Sequence, residues 1–199
     1  MKKLFALLLL LSLAACTALP PKNTDNICST FREKDGWYED AKNTFKKWGV
    51  PIPVQMAIMH QESRFVADAR PPRPWFLGFI PLPRTSSAYG YAQAKDETWG
   101  DYQNKAGSWW ADRDEFADAT DFIGWYCTIS HTRLGIAKWD ARNLYLAYHE
   151  GHGGFSRKSF LKKPWLQQVA TKVDRRAQLF QRQLGECQGD LDNKGWFFW

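Results

Sequence analysis

Residues that can share one helix face recur through most of this chain, and nowhere do apolar and polar residues alternate convincingly as in a strand. Val54, Ala57, Ile58, Gln61 and Phe65 form one such run, and Phe116, Ala119, Phe122, Ile123 and Tyr126 a second. Leu144, Ala147 and Tyr148 begin a third, and Leu166, Val169, Val173, Phe180 and Leu184 make a fourth. Spacings of three and four place side chains on one face of a helix, so each run predicts a helix with a buried stripe. The punctuation agrees. Thr30 with Glu33 reads as a capping box opening a helix that carries Trp37, Ala41, Phe45 and Trp48 and ends at Gly49. Pro53 suits the first turn of the next helix, and Thr98 and Trp99 open a short one. Gly135 marks a stop, Asp140 a cap, Gly151-His152-Gly153-Gly154 a break, and Pro164 the start of the final helix. Five or so helices with short connections define an all-α fold with little or no strand, and no internal repeat is visible.

Residues 70–85 stand apart. Pro71, Pro72, Pro74, Pro81 and Pro83 alternate with Trp75, Phe76, Leu77, Phe79 and Ile80. That many prolines suit neither a helix nor a central strand, which predicts a semi-rigid loop whose apolar residues fold back on the domain or meet a ligand or partner.

At the start of the chain, Lys2 and Lys3 precede an apolar stretch from Leu4 to Leu13 and then Ala14-Ala15-Cys16. This is the layout of an export signal, and the apolar stretch is too short for a permanent membrane span. Leu13-Ala14-Ala15-Cys16 resembles the lipobox of bacterial lipoproteins, which implies cleavage after residue 15 and lipidation of Cys16. Thr17, in place of an aspartate, implies sorting to the outer membrane, with the protein facing the periplasm. Residues 16–28 then read as the lipidated cysteine and a polar tether, 29–187 as one domain with its insertion at 70–85, and 188–199 as an aromatic C-terminal tail ending Trp196-Phe197-Phe198-Trp199.

An exported chain meets an oxidising compartment, where Cys28, Cys127 and Cys187 allow at most one internal disulfide. Cys28 and Cys187 flank the domain and are the expected pair; Cys127 lies in an apolar helical stretch and reads as buried and free. The formal charge of +6 falls to +4 when Lys2 and Lys3 leave with the signal. A modest positive balance suits an anionic polymer or lipid surface. Export, and the lack of any basic block at helix-turn-helix or zinc-finger spacing, argue against nucleic acid.

The chemistry concentrates in three short segments. Glu62 ends the apolar run Met56-Ala57-Ile58-Met59-His60-Gln61-Glu62-Ser63, and an acid set among Ile58, Met59 and Phe65 can stay protonated near neutral pH because burial disfavours the carboxylate. Most glutamates at helix ends are simply solvated, and the local run alone does not lift Glu62 above that. Downstream come Gly90-Tyr91-Ala92-Gln93 and then Ala147-Tyr148-His149-Glu150-Gly151. In that order, the three segments resemble the lytic transglycosylases of the goose-type lysozyme superfamily, glycoside hydrolase family 23, whose hallmarks read Glu-Ser, Gly-Leu-Met-Gln and Ala-Tyr-Asn-Ala-Gly. The resemblance spans roughly Trp48 to Phe155 and includes Pro53-Val54-Gln55-Met56-Ala57-Ile58 and Thr98-Trp99.

That resemblance implies a lysozyme-like helical domain with a groove between the Glu62 helix and the Tyr148 helix. It implies that Glu62 is the acid/base, that Ser63 is partly structural, that Ser86 or Ser87 lies beside the sugar, and that Gly90 permits close backbone approach. Gln93 would bind substrate or hold the groove, and the Tyr148 hydroxyl would sit at the reaction centre. Tyr91, Ala92, His149 and Glu150 stand where the family has Leu, Met, Asn and Ala, so Tyr91 and Ala92 are expected to alter the groove floor, while His149 and Glu150 bring an imidazole and a second carboxylate to it. The implied reaction cleaves the bond between N-acetylmuramic acid and N-acetylglucosamine in peptidoglycan and leaves 1,6-anhydromuramoyl ends, with no cofactor. Two other readings are open at this point: a lysozyme hydrolysing with Glu150 or Asp68 as second carboxylate, and a non-catalytic wall-binding or assembly lipoprotein whose Pro-rich loop or aromatic tail engages a protein partner.

His149-Glu150-Gly151-His152 is not a His-Glu-x-x-His motif, and the following glycines break the helix that would present both rings, so no metal is expected. His60 and His131 read as surface or satisfied core residues. Of the eleven tryptophans, Trp75, Trp109 and Trp110, with Phe76, fall in loops and are the better candidates for stacking on sugar.

Overall fold

Helix α3 (Ile52–Ser63) organises the molecule because it is apolar on nearly every side. Ten of its twelve residues, from Ile52 to His60 and Ser63, are buried, and a helix hydrophobic all round must be enclosed by others. Pro51 and Pro53 fix its first turn, and the buried Gln55 side chain donates to Ala41 O and Val50 O at 3.2 and 2.8 Å, pinning that end. Only Gln61 and Glu62, near the other end, reach the surface.

The computed structural model describes residues 19–194. Around α3 lie α1 (Ile27–Glu33), α2 (Trp37–Trp48), α4 (Asp96–Lys105), α5 (Phe116–Leu134), α6 (Ala141–Ser156), a 3₁₀ turn (Ser159–Lys162) and α7 (Pro164–Lys194). Helix α7 runs along α3, α6 and α1, and α5 packs on α2 and α6. Asp121 of α5 gathers three donors, Trp48 Nε1, Lys47 Nζ and the Tyr102 hydroxyl, at 2.7 to 2.8 Å, and so joins α2, α4 and α5. Cys28 and Cys187 form a disulfide between α1 and α7, and Cys127 is a buried thiol whose pKa burial pushes up to about 12. Among the described residues no helix is long and apolar enough to cross a membrane.

The fold is all-α, and the structure changes several local expectations. The first helix is two: Asn26, not Thr30, caps α1 by accepting from Ser29 N at 2.8 Å, and the chain turns through Gly36 at φ 82° before α2. Thr30 instead sits in the core and donates to Asn23 O. The supposed tether docks: Pro21 is buried, Asp25 pairs with Arg176 at 2.6 Å, and Ile27 and Cys28 are already helical. The Pro-rich insertion holds a two-residue antiparallel hairpin, Trp75–Phe76 against Ile80–Pro81, turned by Leu77 and Gly78. The expected break at 151–154 is a single kink at Gly151, with φ 72° and ψ 159°, after which α6 resumes. Helix α7 continues past Cys187 to Lys194, so residues 188–194 of the expected tail are helical. Cys16, the export signal and Trp196–Trp199 lie outside the described residues.

Candidate active site

Glu62 opens onto a cavity of about 380 Å³ bounded by the end of α3, the middle of α6, the Ala88–Lys95 segment and α5. Its walls include Gln93, Phe122, Tyr126, Tyr148, His149, Glu150 and Gly151. Burial against this aromatic wall pushes the Glu62 pKa up to about 7, opposed by the nearby Tyr145 hydroxyl, which favours the carboxylate. The acid is therefore substantially protonated at neutral pH yet can hold a negative charge after giving its proton away. That is the profile of a group acting first as acid and then as base.

Directly after Glu62 the backbone bends sharply: Arg64 and Phe65 both have positive φ, 51° and 63°. Left-handed geometry in two successive non-glycine residues costs on the order of 1 kcal/mol or more each and is held by its surroundings. Ser63 supplies one support and Phe65 the other. The buried Ser63 hydroxyl donates to Met59 O and accepts from Phe65 N at 3.1 Å, while the Phe65 ring is fully buried against Trp37 and His60. Ser63 is thus turned inward, away from any sugar.

The second segment frames the cavity mostly with backbone. Gly90, at φ 77°, lies so close to the Arg113 carbonyl that an added Cβ would fall 2.0 Å from its oxygen. Gln93, also at positive φ, turns its amide back to donate to Ala69 O and Gly90 O at 2.8 and 2.9 Å, so it holds the loop while still lining the cavity. Tyr91 is not part of the groove floor. Its ring is 1% exposed and packs edge-on against Trp37 and Phe116, and Ala92 is buried beside it. Ser86 and Ser87 do not line the cavity either: their hydroxyls accept from Ala88 N and Asp96 N, the latter at the start of α4.

The third segment departs most from expectation. The Tyr148 hydroxyl donates to Ala92 O at 2.6 Å, which clamps α6 to the second segment, and its ring forms cavity wall. The tyrosine whose hydroxyl favours the Glu62 carboxylate is Tyr145, one turn earlier. Sequence reasoning passed over it because a tyrosine on the apolar face of a helix looks like core, and Tyr145 is indeed 4% exposed. The signal that could have found it is its spacing of three from Tyr148, which puts both rings on one face.

Glu150 brings a second carboxylate to the cavity, but one already engaged. Lys163 Nζ lies 2.7 Å from Oε1, the Ser159 hydroxyl donates to Oε2, and His149 Nδ1 is 3.1 Å from Oε1. With Lys163 and Ser159 the main causes, its pKa is held down at about 2. So weak a base is poorly suited to activating water. Asp68, the other proposed partner, is exposed and does not line the cavity. His149 is exposed at the rim, edge-on to Trp165 at 5.2 Å. His152 stacks on Tyr126 and shares a 3.0 Å hydrogen bond with Ser130, and among the described residues no His, Cys, Asp and Glu cluster could hold a metal. Trp75, Phe76, Trp109 and Trp110 are exposed, but none lines this cavity; the rings that do are Phe122, Tyr126 and Tyr148.

A helical domain with a desolvated carboxyl on a cavity walled by α3, α5 and α6 is the arrangement that the lysozyme-like resemblance implies. The model of the family described as Transglycosylase SLT domain matches residues 4–187, so the chain belongs to that family. The family gives it a function of lytic-transglycosylase type and a peptidoglycan substrate. No curated protein and no solved structure matches the chain.

Removing the Tyr145 hydroxyl tests its part in the site. Tyr145→Phe should lower kcat about tenfold and move the pH profile upward, because Glu62 loses the hydroxyl that favours its charged form. A uniform loss of rate with an unmoved profile would make Tyr145 mere packing.

Proposed function

We propose that this protein cleaves the bond between N-acetylmuramic acid and N-acetylglucosamine with Glu62 as sole acid and base, leaving 1,6-anhydromuramoyl ends. The observation that carries the proposal is the pairing of a Glu62 pKa raised to about 7 with a Glu150 carboxylate tied to Lys163 and Ser159. Glu62 gives its proton to the leaving glycosidic oxygen as the bond to C1 breaks, and the 2-acetamido group supports the developing cation. The resulting Glu62 carboxylate, favoured by the Tyr145 hydroxyl, then takes the proton of the muramoyl C6 hydroxyl, whose oxygen closes onto C1. Proton and bonds balance without water. Hydrolysis would need a second carboxylate to hold a water molecule on the other face, and Glu150 is engaged elsewhere.

On the same reading the mature protein is a lipoprotein, anchored through Cys16 in the outer membrane and facing the periplasmic glycan. Mass analysis of digested sacculi tests the reaction. Anhydro-ended fragments are expected; fragments heavier by one water, without anhydro ends, would replace this mechanism with hydrolysis.

A further inference from the structure

The molecule has a second cavity, of about 470 Å³, on the side of α3 away from Glu62. Ala57, His60, Gln61 and Arg64 of α3 face it at helical spacing, and α7 contributes Lys172, Arg175 and Arg176 from across the crevice. Four cations thus converge from two helices. Arg176 alone has a partner, with Nη1 2.6 Å from Asp25 Oδ1; among the described residues no carboxylate comes within 4 Å of Arg64, Lys172 or Arg175.

His60 lines the same cavity. It is 6% exposed, set edge-on between the Phe65 and Phe180 rings, and its buried Nε2 has no hydrogen-bond partner. The Asp25 carboxylate oxygen Oδ1 is 3.5 Å away, too far for a proper bond. Burial pushes the imidazole pKa down to about 4, so at neutral pH the ring is uncharged and offers Nε2 as a single donor or acceptor. Four cations from two sides of one cavity suit an anionic ligand, whereas the His60 Nε2 beside them is closed to solvent. The resident carboxylate of Asp25, bonded to Arg176 beside His60, shows that oxyanion chemistry already operates at one edge of this cavity.

We propose that this cavity binds a phosphoryl oxyanion, with Arg64, Lys172 and Arg175 supplying charge and hydrogen-bond donors. Three cations without carboxylate partners match a polyanionic tetrahedral group better than one carboxylate, and arginine forks suit phosphate geometry. Free phosphate and a phospholipid headgroup share this chemistry. Asp25 holds Arg176 and adds negative charge beside this cavity, so it opposes an incoming anion.

The test is calorimetric titration of the full mature chain at about 0.15 M salt, where diffuse attraction is screened. Inorganic pyrophosphate is one probe and monomeric short-chain phosphatidylglycerol the other. Lys172→Gln/Arg175→Gln should weaken binding at least about tenfold, Asp25→Asn should strengthen it several-fold, and sacculus cleavage by the double variant should be unchanged. Preference for pyrophosphate assigns a free phosphate ligand, and preference for the lipid assigns a headgroup. Failure of both probes to bind, or equal binding by wild type and the double variant, would overturn the proposal.

Discussion

Glu62→Gln is expected to abolish cleavage of sacculi, lowering the rate about a thousandfold, and at the same time to make the protein more stable at pH 8. The loss follows from removing the only carboxyl on the cavity that can both give and take a proton, since an amide does neither. The gain follows from linkage. The Glu62 pKa lies at about 7 in the folded protein against 4.5 for an ordinary glutamate. Below pH 4.5 the group is protonated in both folded and unfolded chains and costs nothing. As pH rises from 4.5 towards 7 the unfolded chain ionises first, so stability falls, and above 7 the full penalty of up to about 3 kcal/mol is present. A neutral, nearly isosteric glutamine escapes that penalty. Its melting temperature should exceed that of wild type by several degrees at pH 8 and match it at pH 4. Thermal scans at both values, alongside zymography, check the pair of effects; a variant that melts early would leave its inactivity unrelated to catalysis and contradict this account.

The second large effect concerns the Cys28–Cys187 disulfide, which closes a loop with a sequence separation of 159. Cross-linking so long a loop removes conformational freedom chiefly from the unfolded chain, worth up to about 5 kcal/mol on the chain-entropy account. The bridge also holds α1 to the far half of α7, where Gln183 Oε1 accepts from Ile27 N, while Asp192 accepts from Tyr38 and Lys42 of α2. Cys28→Ala/Cys187→Ala should therefore lower the unfolding midpoint by roughly 10 °C in non-reducing buffer, and wild type in reductant should approach the variant. Cleavage at room temperature should persist, because the Glu62 cavity lies on α3, α5 and α6 rather than on α1. Equal midpoints for variant and wild type would show that the bridge contributes little.

Much of this was legible in the sequence, for reasons visible in single residues. Helix stops and starts at Gly49, Gly135, Asp140 and Pro164 were readable because backbone conformation or capping chemistry at those positions is local. Glu62 could be singled out because its neighbours in sequence are apolar and its partner segments come in a recognisable order. What escaped depends on distance. The split between α1 and α2 was hidden because both carry the same apolar spacing, and the cap at Asn26 sits in what looked like a tether. Tyr91 was read into the groove because it stands where the family motif has a leucine, while its contacts, Trp37 and Phe116, lie in other helices. Glu150 looked free because Lys163, thirteen residues on, comes back to it only through the kink at Gly151 and the 3₁₀ turn. Tyr145 was missed because pairing with Glu62 joins two helices far apart in the chain.

Catalysis by Glu62 alone depends most directly on that carboxyl remaining protonated near neutral pH. A ¹³C NMR titration of the side-chain carboxyl, assigned by its disappearance in Glu62→Gln, measures that property without substrate. A midpoint near pH 7 is predicted; a midpoint near the ordinary value of 4.5 would contradict the claim that this carboxyl arrives at the glycosidic bond carrying its proton.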